Sequence, residues 1–441
     1  MSRASQAMST EENTLMTETG DVVIEYKGMK GRAAHERKQI KKDEQQSETL
    51  STLQRGILSE AKFSAGSIQP TRFRCTNAAM GAFSFTYASG KDVYQGHVNL
   101  TLDADEQAAV KQGTQGVNIS NIVKMKAISS NKILSAPAHK YEIQSLKILY
   151  KAIAVRPVSH QDSLIGSIDA RGATFIYKKS TGANDGASPQ RKKQKHQHYE
   201  SHEVVAATTA EMGSAGIAFD PTTGSNLLAT AHFYSKELRF FDCNTLQSSW
   251  VQPTVMHPTA LAFSPTLAST AVVAEYNQFS IWDAKSNTRV AREGAPSQGC
   301  LYAIACSPDG HSIAMGGEDK VAYIYDTRMW KLRNRWRCPL KYEMAYLAFS
   351  PNEPSLCYVA GLDNELMCGR YDGAKEKKKK DAVAAPAYSP SILQQNHRLG
   401  FRGDSRWIGL DIVSADGQDI GFGICESGSA YAISPAHHMV G

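Results

Sequence analysis

Four short apolar strings recur at a near-constant interval along this chain. "IAFDP" ends at Pro221, "LAFSP" at Pro265, "IACSP" at Pro308 and "LAFSP" at Pro351, at intervals of 44, 43 and 43 residues. A second mark keeps similar time: "FFD" ends at Asp242, "IWD" at Asp283, "YIYD" at Asp326 and "GRYD" at Asp372. Within one period, "IACSPDGHSIAMGGEDKVAYIYD" (304–326) reads as three strands. Pro308 cannot donate to a ladder, and Asp309-Gly310 suits a tight turn. Ser312 to Met315 forms the second strand, and Val321 to Tyr325, rich in β formers, the third. A meander this small cannot bury its apolar faces alone, so it must stack against further copies of itself.

A period of roughly 40 to 45 residues with a strand closing on an aromatic and Asp points to a β-propeller. Weaker copies flank the four clear ones at 139–178, 416–433 and 72–100, giving seven blades. Over roughly residues 70 to 435 the chain resembles the WD-repeat propeller family. Trp282-Asp283 matches that family's dipeptide; Phe241-Asp242, Tyr325-Asp326 and Tyr371-Asp372 are relaxed versions. His139, ahead of Ile143 and Leu146, looks like the family's histidine before an innermost strand. Asp169, Asp319 and Asp363 stand where the resemblance puts a turn aspartate that bonds it. Most blades lack the family's Gly-His pair, and one has Tyr276-Asn277 in place of the aspartate.

The expected fold is therefore all-β: a single seven-bladed WD-repeat-like propeller over 61–435, with Ala218, Ala262, Ala305 and Ala348 in the innermost strands. A disordered to helical N-terminal extension covers 1–60. Within it, 32–58 reads as helix, with good formers and no proline. Either "DVVIEY" (21–26) or "KFSAGSIQ" (62–69) is expected to close the ring as a strand of the last blade. Two basic insertions, 179–202 and 373–391, interrupt the propeller, the first joining two blades.

Composition narrows the function classes. Hydrophobic residues make up 41% of the chain, and no window approaches the roughly 18 apolar residues of a membrane span. The first residues lack a secretory apolar core. No membrane association is expected. The eight cysteines contain no C-x-x-C and mostly sit in apolar strand patterns, as reduced structural thiols do. The sequence holds no H-E-x-x-H, P-loop or G-x-S-x-G elbow, so the expectation is a non-enzyme with no metal and no cofactor. His257 and His311, like His139, lie near blade edges and read as hydrogen-bonded structural residues.

Net charge is +6, concentrated outside the blades at 27–42, 191–196 and 375–380. Arg191, Lys192, Lys193 and Lys195 fit either a nuclear import signal or a nucleic-acid contact. Nuclear or nucleolar residence is the expectation, with cytoplasm as the alternative. The expected role is a protein-interaction scaffold in a multi-subunit complex, of ribosome-biogenesis or chromatin type, with possible RNA contact through the basic loops. The alternative comes from the resemblance. "IYDTR", with Asp326 and Arg328, and "IWDAK", with Asp283 and Lys285, are similar to the box by which some WD-repeat propellers dock on the adaptor of cullin-4 ubiquitin ligases. That would make the chain a ligase substrate receptor.

Overall fold

The computed structural model describes residues 13–16, 22–25, 52–58, 68–79, 82–100, 123–150, 163–179, 199–206, 211–222, 224–371, 397–415 and 417–434. The chain forms two units, Met1–Thr49 and Leu50–Gly441. In the first, Asn13–Met16 pairs antiparallel with Val22–Glu25. The second is a seven-bladed β-propeller, with no helix among its described residues.

Each blade is an antiparallel sheet numbered here in chain order. Blade 1 contains Phe73–Ala79, Ala82–Ser89, Asp92–Asn99 and Lys126–Lys132. Blade 2 contains Ile143–Tyr150, Ser163–Asp169, Thr174–Lys179 and Tyr199–Val205. Blades 3, 4 and 5 follow at the 43-residue period, starting on Gly216–Phe219, Pro258–Phe263 and Leu301–Cys306. Blade 6 starts on Met344–Phe349 and ends on His397–Arg402. Blade 7 contains Trp407–Ala415, Gln418–Cys425 and Ser429–Ser434. The four expected alanines lie in the first strands, which line the inside of the ring.

Blade 7 is completed from the N-terminal side. Thr52–Ile57 pairs antiparallel with Ser429–Ser434, and Val123–Lys124 adds a short parallel strand beyond it. Neither expected closing segment fills this place. Val22–Glu25 pairs with Asn13–Met16, and of 62–69 only Ile68 and Gln69 are described, outside any strand, the rest lying outside the described residues. The helix expected over 32–58 also fails at its end, where Thr52–Ile57 is strand. Propensity favoured a helix there, but the open edge of Ser429–Ser434 supplies hydrogen bonds and partners that outweigh it. Gln54 is buried and donates to the Leu100 carbonyl at 2.8 Å, while Arg55 pairs with Asp404 at 2.7 Å. Residues 26–51 lie outside the described residues.

Apolar side chains fill the spaces between blades. Phe73 of blade 1 stacks on Phe422 of blade 7 at 5.1 Å between centroids, sealing the closure seam. Phe279, Ile281, Leu301 and Ile313 join blades 4 and 5. Each such side chain stabilises the fold by roughly 1.5 to 3 kcal/mol when fully buried. Gly310, at φ 70°, shows why the Pro-Asp-Gly turn needs glycine: an added Cβ would sit 2.0 Å from Thr266 Oγ1 of blade 4.

The fourth strands explain the misplaced insertion. The segment 179–202 does not join two blades. Lys179 pairs with Tyr199, so the chain between them leaves and re-enters blade 2 between its third and fourth strands. Tyr199–Val205 lies at the rim with Tyr199 and Val205 buried at its ends but the residues between them exposed or half-buried, so it lacks apolar alternation and reads as loop. The second basic insertion falls at the same point of blade 6, between Glu365–Arg370 and His397–Arg402.

Candidate functional site

Antiparallel strands fix which connections share a face of the ring. The turns from first to second strand and from third to fourth strand emerge on one face; the blade-to-blade connections emerge on the other. Both basic insertions therefore attach on the first face. So do the third-to-fourth turns of blades 4 and 5, which follow Gln278–Asp283 and Val321–Asp326 and carry the two aromatic-Asp boxes.

The aspartates of these boxes build their own turns. Asp283 Oδ1 accepts from the Lys285 N–H at 2.9 Å, and Oδ2 from the Ser286 hydroxyl at 2.9 Å. Asp242 does the same one blade earlier, accepting from Asn244 N–H at 2.7 Å. Burial opposes ionisation of Asp283, but these hydrogen bonds hold its carboxyl below the ordinary value. At the fifth position of the turn the backbone is left-handed, at Leu246, Asn287 and Trp330.

Asp326 adds a side-chain partner. Arg328 Nη2 donates to Asp326 Oδ2 at 3.0 Å and its backbone N–H to Oδ1 at 2.9 Å. The guanidinium, and then that N–H, draw the Asp326 carboxyl down to about 2. Arg328 thus folds back over its own turn, yet its side chain remains 73% exposed. Lys285 is exposed on the neighbouring blade. The structure therefore brings Asp326 and Arg328 together, and sets Asp283 and Lys285 at the equivalent turn beside them.

Next to Arg328 runs a feature that the sequence reading passed over. The fourth strand of blade 5, Lys331–Arg337, reads "KLRNRWR". Lys331, Arg333, Arg335 and Arg337 are exposed, while Trp336 is buried against the blade 5–blade 6 core. A bulge at Arg333 shifts the register, so Arg335 and Arg337 share the face of Tyr323 while Lys331 falls on the other face. Arg335 lies over the Tyr323 ring at 5.9 Å, which steers its guanidinium. Four cations in seven residues, with no acidic residue among them, make this edge the most basic described strand of the propeller. Its period of two was visible in the sequence.

Arg191, Lys192, Lys193 and Lys195 lie outside the described residues, as does 375–380; only their anchoring strands are placed. Of the three expected structural histidines, His139 is hydrogen-bonded within blade 2 and His257 ties blade 4 to blade 3, whereas His311 is exposed and bonds through its backbone, its N–H donating to Asp309 at 3.0 Å. His139 meets Asp169 at 3.2 Å and Ser167 Oγ at 2.6 Å, and His257 meets the Phe233 carbonyl at 2.8 Å. All eight cysteines are free thiols. Burial pushes Cys300 up to about 11 and Cys306 and Cys425 up to about 12, so these three stay protonated and are poor nucleophiles at neutral pH. Among the described residues no three His, Cys, Asp or Glu side chains gather as a metal site. No protein-family model matches the sequence, and no curated protein matches it.

Proposed function

We propose that this protein is a non-enzymatic scaffold of WD-repeat type, which holds an acidic partner against the rim of blade 5 within a nuclear or nucleolar assembly. A propeller suits a general scaffold role, since a rigid ring loses little conformational entropy on binding. The observation that carries the reading is the exposed Arg333, Arg335 and Arg337 on the bulged outer strand of blade 5, with Lys331 exposed at its start. Arg offers planar donors that match carboxylates and phosphates in pairs. The two basic insertions open from the same face and would extend the field of this edge.

Affinity purification of the tagged parent, beside a variant carrying Arg333→Glu, Arg335→Glu and Arg337→Glu, tests the reading. The triple variant should fold and lose its partners at physiological salt. Retention of every partner would remove the rim from the function. The ligase-receptor reading rests on the exposed Arg328 and is separable: adaptor binding lost on Arg328→Ala but kept in the triple variant would favour it.

A further inference from the structure

The pairing register shows that one position recurs in all seven first strands. It lies three residues before the last residue of the second strand that it faces. Ala218, Ala262, Ala305 and Ala348 hold it in blades 3 to 6, opposite Ala229, Val272, Ala314 and Tyr358. In blades 7, 1 and 2 the same position carries Asp411, Arg74 and Lys147, opposite Phe422, Thr86 and Gly166. One layer of the inner wall is thus alanine on one side and charged on the other.

The charges are not mutually satisfied. Asp411 Oδ1 accepts from Arg74 at 3.2 Å and Oδ2 from the Cys75 N–H at 2.9 Å, so this one carboxylate faces two cations, Arg74 and Lys147. Lys147 has no hydrogen bond or ion pair among the described residues. From blade 6 the Tyr346 hydroxyl lies beside Asp411 and the Ile412 backbone. Lys147 and the alanines of blades 4 to 6 are only half-buried, although they lie on the first strands, inside the ring. That exposure is to the central channel.

One mouth of the channel is crossed. Leu410 N–H donates to the Pro70 carbonyl at 3.0 Å and Leu146 N–H to the Thr71 carbonyl at 3.0 Å, tying this segment to blades 7 and 2. Gln69 then reaches the opposite wall. Its Nε2 donates to the Thr259 carbonyl of blade 4 at 2.7 Å and to the Tyr302 carbonyl of blade 5. On these two blades the bar meets carbonyls three residues ahead of the layer's alanines, Ala262 and Ala305.

We propose that Lys147, with Arg74 beside it, forms a binding site in the central channel for a small oxyanion, either a phosphate or a compact carboxylate. The alanine wall leaves room for the ligand and the Gln69 bar stops it passing through. Burial, and then the Arg74 charge, lower the Lys147 amine to about 7, with Asp411 opposing. An anion offsets both causes, so its binding draws a proton onto Lys147.

Calorimetric titration of the full chain with sodium phosphate, and separately with sodium acetate, tests this. Sodium chloride at equal ionic strength is the reference, and runs at pH 7.5 use two buffers of different ionisation enthalpy. The parent should bind at least one of the two anions saturably and take up a fraction of a proton. Lys147→Ala, which installs the residue of the other four blades, should fold and lose roughly tenfold or more in affinity. Lys147→Arg should bind without proton uptake. Absence of saturable binding of either anion to the parent overturns the proposal. Unchanged affinity in Lys147→Ala also overturns it, because the anion is then held on another basic surface.

Discussion

Blades 3 to 6 and blades 7, 1 and 2 close one ring but are held in different ways. In blades 3 to 6 the inner register is alanine, the blade interfaces are apolar and the third-to-fourth turns of blades 3 to 5 are closed by Asp242, Asp283 and Asp326. Around the seam, charges bridge neighbours. Arg72 of blade 1, 1% exposed, pairs with Glu142 just ahead of blade 2; Arg74 pairs with Asp411 of blade 7; Arg55 of the closing strand pairs with Asp404. Blades 3 to 6 follow one another along the chain, so adjacency already limits their partners. The seam joins segments more than 300 residues apart, and ion pairs tell one register from the next where alanine contacts do not.

The comparison breaks first if the regular half is not held by its aromatics. Trp282 is 3% exposed in the core between blades 3 and 4, and its indole N–H donates to Ser280 Oγ at 2.7 Å. Trp282→Ala should cost about 3 to 5 kcal/mol in a denaturant melt. A loss below about 1 kcal/mol would show that this interface carries little of the stability.

The second test strikes the charged side of the ring, where blade 1 meets blade 2. Glu142→Ala leaves the Arg72 guanidinium buried without its carboxylate, and should cost about 3 kcal/mol. Glu142→Gln should recover part of that loss by keeping an acceptor. If both variants melt with the parent, the join of blades 1 and 2 does not depend on this ion pair, and the contrast between the halves fails there.

A third test separates two ways of placing a polar residue at the end of a second strand. Blade 2 uses Asp169 there, bonded to His139; blade 4 uses Glu275, bonded to Ser280 and to the Val255 and Met256 N–H groups at 3.0 and 3.1 Å. Blade 3 uses His232, whose ring meets Thr230 Oγ1 at 2.9 Å and the Gly213 carbonyl at 3.3 Å. Burial, and then Arg239, lower His232 to about 4. Between its unfolded value near 6.5 and about 4, the unfolded chain takes up a proton that the folded chain resists. Stability from this group is therefore full above that window and falls as the pH drops through it, by about 2 kcal/mol between pH 7 and pH 5. Urea melts of the parent and of His232→Gln at both pH values measure it. An equal pH dependence in the two proteins would contradict the burial of a neutral imidazole.

These residues also mark where sequence was legible. The four alanines and Trp282 were visible because each sits in a repeat with its marks intact, and the His139–Asp169 pair was legible through the family resemblance. Glu275 was not. Attention fell on the turn residues Tyr276-Asn277, but the bonding position is the strand end before them. Asp319 and Asp363 were aligned with Asp169 for the same reason. The residues in register with Asp169 are Gly317 and Gly361, and Asp319 bonds Tyr323 instead. Blades 7 and 1 read Leu410-Asp411-Ile412-Val413-Ser414 and Phe73-Arg74-Cys75-Thr76-Asn77 where the marked blades read apolar-Ala-apolar-Ser-Pro (Asp-Pro in blade 3), so the charged residue and the missing Ser-Pro together hid the repeat. Thr52–Ile57 was unreadable locally, since its strand state depends on an edge 372 or more residues away.

The smallest expected effect concerns the basic insertion of blade 2. Lys179 and Tyr199 already pair at its base, and the outer hairpin closes on that rung. Replacing Arg191, Lys192, Lys193 and Lys195 with alanine should therefore move stability by no more than about 0.5 kcal/mol. What should change is location or contact. Lost nuclear accumulation with unchanged nucleic-acid affinity in vitro identifies an import address. Weaker binding, with a shallower dependence of log affinity on log salt, identifies phosphate contacts, because each removed cation cancels part of the counterion release. If the variant localises and binds as the parent does, the positive charge that matters lies on the ordered rim of blade 5. The triple substitution at Arg333, Arg335 and Arg337 then becomes the decisive one.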